Sequence, residues 1–145
     1  MSDQAEAAVH CFGQGFNCAQ AILSTYGAAF GLERERALMM AAAFGAGMGM
    51  RGEVCGAVSG ALMVIGLRHG YAETTDKGAK GRTYGLVRDW IGRFQACHGT
   101  ILCRELLGCD LSTAEGLAMA RREGYFTERC PRFVRTAAEI LEGFL

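Results

Sequence analysis

Val54-Cys55-Gly56-Ala57-Val58-Ser59-Gly60-Ala61-Leu62-Met63-Val64-Ile65-Gly66-Leu67-Arg68 contains the longest apolar stretch of the chain. Val54, Ala57, Val58, Ala61, Leu62 and Ile65 recur at helical spacing on one stripe. Met63, Val64 and Leu67 make the remaining faces apolar as well, and a helix that is hydrophobic all round belongs inside a larger helical core. The run is too short, and too often broken by glycine, to span a membrane. Gly56, Gly60 and Ala61 leave room for a neighbouring helix to approach closely. The stretch therefore predicts an all-α fold arranged around one buried central helix.

The same periodicity recurs on either side, and no segment alternates with period two for long. Helices are expected over Asp3–Phe12, Cys18–Phe30 and Glu33–Phe44 before the central one, which runs Val54–Arg68. After the polar loop Tyr71–Asp76 a long helix runs from about Lys77 to Cys97, with Tyr84, Val87, Ile91 and Phe94 inward. A short turn, Cys103–Leu107, follows. Ser112 with Glu115 reads as a capping box for a helix ending near Gly124. Pro131–Phe144 closes the chain with Phe133, Val134, Ala137, Ala138 and Leu141 inward. This amounts to about six to seven helices in one compact domain, 1–145, without linker or internal repeat.

Fifteen basic and fifteen acidic side chains cancel among 145 residues, so no basic surplus exists to neutralise phosphates, and nucleic acid is not an expected partner. The first residues, Met1-Ser2-Asp3-Gln4-Ala5-Glu6, lack the apolar core of a signal peptide, which points to the cytoplasm. A protein this rich in glycine and alanine is also compatible with a homodimer that buries one apolar face.

Seven cysteines are conspicuous in such a chain, because reduced compartments use them more for metals and catalysis than for disulfide scaffolding. Four fall where helices start. Cys18 follows Asn17, a good N-cap. Cys55 follows the glycine-rich Gly45–Gly52 stretch, Cys103 begins its short turn, and Cys130 precedes Pro131. Helix N-termini present unsatisfied N–H groups and partial positive charge, which favour a thiolate. Apolar residues three or four positions further along share each cysteine's face (Ala21 and Ile22, Val58, Leu106 and Leu107, Phe133 and Val134), so each sulfur is aimed inward. Arg51, Arg104, Arg129 and Arg132 are near enough in sequence to offset thiolate charge. Cys11, Cys97 and Cys109 occupy mid-helix, helix-end and post-helix positions. No C-x-x-C, C-x-x-C-H or ferredoxin-type run is present, so any shared site must be assembled by the fold.

Phe16-Asn17-Cys18-Ala19-Gln20, Cys55-Gly56-Ala57-Val58-Ser59-Gly60, Cys103-Arg104-Glu105-Leu106-Leu107-Gly108 and Cys130-Pro131-Arg132-Phe133-Val134 together resemble the redox-active protein family named for a C_GCAxxG_C_C pattern. The resemblance covers nearly the whole chain. It implies that Cys18, Cys55, Cys103 and Cys130 are the family's four characteristic cysteines and that Cys11, Cys97 and Cys109 lie outside the pattern. A similar domain occurs in split-Soret cytochromes beside haems and an iron–sulfur centre. This chain has no haem-attachment motif, so only the cysteine part of that likeness carries over.

Four converging thiols suit three chemistries. They could ligate an iron–sulfur cluster or another redox metal for electron transfer or redox sensing. They could cycle as metal-free dithiols, or hold a structural zinc in a non-catalytic interaction module. Whether the chain is an oxidoreductase, and what its redox partner is, the sequence does not name. Gly47-Met48-Gly49-Met50-Arg51-Gly52 matches G-x-G-x-x-G, but a dinucleotide fingerprint needs a preceding strand and here a helix precedes. Gly49, Gly52 and Gly56 are instead expected to let backbone pack around Cys55 and its cofactor. Met48 and Met50 read as gap-fillers, and His10, His69 and His98 as exposed or simply hydrogen-bonded.

Overall fold

A computed structural model describes residues 2–145; Met1, the first residue of the expected 1–145 domain, lies outside them. The chain forms α1 (Asp3–Gly13), α2 (Cys18–Gly27), α3 (Arg34–Ala41), a single turn α4 (Gly45–Met48), α5 (Gly56–His69), α6 (Ala79–His98), α7 (Cys103–Leu107), α8 (Ala114–Arg122), α9 (Tyr125–Glu128) and α10 (Cys130–Glu142). Short 3-10 turns at Ala28–Phe30 and Ala42–Phe44 extend α2 and α3. Among the described residues there is no strand, only an isolated antiparallel bridge between Val54 and Leu102. The fold is all-α, in more and shorter pieces than six to seven helices. Gly124, at φ 72°, stops the 112–124 segment and starts the extra turn α9. No helix among the described residues is long and apolar enough to cross a membrane.

The central helix is α5, as its pattern demands. Ala57, Val58, Ala61, Val64 and Ile65 are wholly buried, although Leu67 near its C-terminus surfaces. Its closest neighbour is α2, and small residues set that approach. A Cβ added at Gly60 would stand 3.0 Å from the Ala19 carbonyl and 3.0 Å from Ile22 Cβ. α10 covers the other side with Phe133, Val134, Ala137, Ala138 and Leu141, all buried as expected. Each fully buried Val, Ile or Leu contributes about 1.5–3 kcal/mol, so this seam dominates the core.

Two expectations shift. On α6 the large buried side chains are Trp90 and Phe94, stacked with centroids 5.5 Å apart, while Tyr84 is exposed. The inward face passes through Trp90, which rotates Tyr84 outward. The cap of α8 is Thr113, whose Oγ1 accepts from the Gly116 amide at 3.0 Å, and not Ser112. Ser112 donates instead to Asp110 Oδ1, closing a local turn one residue earlier.

The segment before α5 is the unusual part of the backbone. Ala46, Gly47, Met48, Gly49 and Met50 all have positive φ, between 53° and 68°, so α4 and the residues after it wind left-handed. That handedness presses each Cβ toward the following carbonyl at about 1–2 kcal/mol per residue. Ala46, Met48 and Met50 together therefore cost roughly 3–6 kcal/mol relative to glycine. Backbone hydrogen bonds from Gly49 to Gly45 (2.9 Å), Gly52 to Ala46 (3.3 Å) and Glu53 to Gly47 (3.0 Å) hold the turn. At Gly47 no side chain fits: a Cβ would sit 2.6 Å from the Glu53 nitrogen and 2.8 Å from Cys103 Cβ.

Candidate redox site

Local chemistry places each of the four helix-start cysteines. At Cys18 the N-cap is Asn17, whose Oδ1 accepts from the Gln20 amide (2.8 Å) while Gln20 Oε1 accepts from the Asn17 amide (2.9 Å). This reciprocal capping box fixes the first turn of α2. Cys55 is itself the N-cap of α5, with extended backbone. Its amide donates to the Ile101 carbonyl (2.8 Å), and the Cys103 amide donates to the Glu53 carbonyl (2.7 Å). These two bonds clasp the starts of α5 and α7 together around the Val54–Leu102 bridge. Cys130 opens α10 directly before Pro131, a residue suited to a helix's first turn.

All four sulfur-bearing residues line one cavity of about 180 Å³. They are buried, at 4–8% exposure, and the other walls are mainly apolar, among them Phe12, Leu107, Phe126 and Phe133. The Cys18 thiol interacts with both Cys130 and Cys55. All seven cysteines are free. Among the described residues no group of three or more His, Cys, Asp or Glu is drawn together to hold a single metal ion. What the four cysteines share is the lining of one cavity.

The electrostatics are asymmetric. Contact with Cys130, then with Cys55, then burial, hold the Cys18 thiol well above the usual range. Cys55 moves the other way: the proton offered by Cys18 favours its thiolate, and so do the amides of Ala57 and Val58, against the opposing effect of burial. Neither amide closes a cap hydrogen bond of standard geometry. Burial, reinforced by the charges of Cys55 and Cys130, pushes the Cys103 thiol up to about 12.

Of the glycines expected to frame the site, Gly56 lines the cavity, and a Cβ there would crowd the Ala19 amide at 2.9 Å and Cys18 Cβ at 3.2 Å. Gly49 faces a different surface hollow with Met50 and Arg51, and Gly52 backs onto Arg104, where a Cβ would stand 3.2 Å from Arg104 Cβ. Ala46 and Gly47 line the cavity in their place. The alternation of glycine through 45, 47 and 49 was the available signal for them. None of the four arginines lines the cavity. Arg104 pairs with Glu53 at 3.3 Å; Arg129 donates to the Leu107 carbonyl (2.6 Å) and lies over the Tyr125 ring. His69 and His98 are hydrogen-bonded, to the Phe144 carbonyl and Thr136 Oγ1 respectively. Cys11 is buried beside Ser24, Cys97 is exposed, and Cys109 is half-buried.

No curated protein and no solved structure matches this chain. A family model does, that of "Putative redox-active protein (C_GCAxxG_C_C)", over residues 16–144, a span that contains all four cavity cysteines. The chain belongs to the C_GCAxxG_C_C family of redox-active proteins.

Proposed function

We propose that this is an electron-transfer or redox-sensing protein whose Cys18, Cys55, Cys103 and Cys130 hold an iron–sulfur cluster in the buried cavity. The observation that carries the reading is the cavity itself: four cysteines from four helix starts around about 180 Å³ of otherwise apolar space. Four thiolates are the usual ligand set of such clusters, which supply a one-electron couple when bound. A structural zinc ion is the other metal that four thiolates suit, and it would need all four sulfurs about 2.3 Å from one point.

The chain's own groups prepare the site. Ligation requires thiolates, and Cys55 is biased toward that form by Cys18 and by the amides of Ala57 and Val58. The clasp between 53–55 and 101–103 fixes two of the four residues through main-chain hydrogen bonds. The walls beside the sulfurs are mainly apolar, and none of the four arginines is among them.

A second reading rests on the proton shared between Cys18 and Cys55. A thiol beside a thiolate is poised for disulfide formation, in which two protein thiols give two electrons and two protons to a partner disulfide. The visible spectrum of anaerobically purified protein, with iron and acid-labile sulfide assayed on the same sample, separates the two. A coloured protein that loses iron and sulfide in Cys55→Ser is expected; a colourless, iron-free protein would overturn the cluster and leave the dithiol.

A further inference from the structure

We propose that Asn17 is a positioning residue of the cysteine site, its side-chain amide tying Cys18 to the left-handed turn that packs against Cys103. The inference deepens the redox reading of the cavity and rests on it, but not on which centre the cavity holds. Asn17 and Gln20 use their side-chain oxygens in the capping box of α2. Their nitrogens reach a different element. A helix leaves its last four carbonyls without intrahelical partners, and α3 ends at Ala41 with the Ala42 amide turned back to Met39. Gln20 Nε2 donates to the Leu38 carbonyl (2.9 Å), and Asn17 Nδ2 donates to those of Ala42 (3.0 Å) and Ala41 (3.5 Å). The same two side chains therefore cap the start of one helix and the end of another.

Capping α2 needs only the oxygen, and serine or aspartate would serve equally well there. What asparagine adds is the donor, and the chain it holds leads straight into the cavity wall. Gly45 packs on Asn17, where a Cβ would stand 2.5 Å from Asn17 Cβ. The next two residues, Ala46 and Gly47, line the cavity, as Asn17 itself does. Gly47 is then fitted against Cys103, 2.8 Å separating its would-be Cβ from Cys103 Cβ.

Packing thus runs from Cys18 through Asn17, Gly45 and Gly47 to Cys103, a route separate from the main-chain clasp that joins Cys103 to Cys55. Removing the Asn17 donor should loosen Cys18 and Cys103 together, although only one of them is its neighbour in sequence. Cys130, which opens α10, has no place on this route and should keep its setting.

The test uses Asn17→Ser and Asn17→Asp in the full-length protein, because both keep an N-cap oxygen and lose the donor. Ser2→Ala, which removes the cap of α1, is the control for lost stability alone. If the purified protein holds iron, its loss to a chelator is timed; if it holds none, each cysteine is labelled in the native state and mapped by peptide. Both Asn17 variants are expected to raise the rate of iron loss, or labelling at Cys18 and Cys103, by roughly 2–10-fold, the range for one lost hydrogen bond. Labelling at Cys130 should stay as in the wild type. A rise confined to Cys18, or rates in both variants no higher than in Ser2→Ala, would overturn the proposal. Iron and acid-labile sulfide in the wild-type protein decide the cluster reading separately, since their absence ends that reading and leaves the labelling test standing.

Discussion

Replacing Gly47 by alanine should cost the chain roughly 2–5 kcal/mol, and the sum can be taken apart. Its φ of 68° makes any Cβ unfavourable by about 1–2 kcal/mol. Crowding adds about 1–3 kcal/mol, the range for overpacking, because the nearest atoms are the Glu53 nitrogen at 2.6 Å and Cys103 Cβ at 2.8 Å, neither at the end of a flexible side chain. Gly49 is the control. It has nearly the same φ, 63°, but its nearest neighbour would be the Ala43 carbonyl at 3.9 Å, so Gly49→Ala should show the backbone cost alone. Denaturant melts on the two variants should therefore differ by about 1–3 kcal/mol. In thermal melts that is several degrees, at about 2–4 °C per kcal/mol for a chain of this size. Native-state thiol labelling should rise at Cys103 in Gly47→Ala and not in Gly49→Ala. Equal losses in the two variants would refute the claim that Gly47 is fitted against Cys103.

In the metal-free protein, stability should decline as pH climbs above about 9. The Cys103 thiol is held up to about 12 against 9.0 when unfolded, so its contribution is whole below 9 and drains toward 12. Cys18, also raised, drains with it, whereas Cys55 is lowered, and its contribution is lost as pH falls through its folded value. Melts across about pH 8–12 check this, and a profile that Cys103→Ala leaves unchanged would count against a neutral buried thiol. Thr113→Ala should cost about 1 kcal/mol, typical of a lost N-cap, and Ser112→Ala clearly less; the reverse order would restore the cap to Ser112. Gly60→Ala should cost about 1–3 kcal/mol by forcing α5 away from Ala19 and Ile22, measured by denaturant melts, and a neutral result would mean the α2–α5 seam can yield.

The helical architecture was legible wherever apolar periodicity and punctuation agreed. Asn17 before Cys18, Pro131 after Cys130 and the all-round apolarity of 54–68 each named an element correctly, and the four helix-start cysteines fall on one cavity. The left-handed turn was not legible, because Ala46, Met48 and Met50 occupy a region that side chains avoid; only the glycines between them hinted at it. Thr113 lost to Ser112 on paper because both can cap, and the choice is made by Asp110 engaging Ser112. Tyr84 was read inward because sequence gives the period of α6 but not its phase, which Trp90 sets by filling the core. The arginines were plausible counter-ions by proximity along the chain, yet Glu53, the Leu107 carbonyl and the Tyr125 ring claim two of them.

The paired hydrogen bonds between Glu53–Cys55 and Ile101–Cys103 make everything between those cysteines an excursion that departs from and returns to one place. Its far tip, the polar loop after α5, is exposed around Ala72–Lys77. A reporter domain spliced into that tip could lengthen the excursion without altering the spacing of Cys55 and Cys103, because the clasp, and not the length of the intervening chain, sets that spacing. The fold thus offers a permissive insertion point far along the chain from both cysteines, through which the state of the cavity could be read out by a grafted sensor.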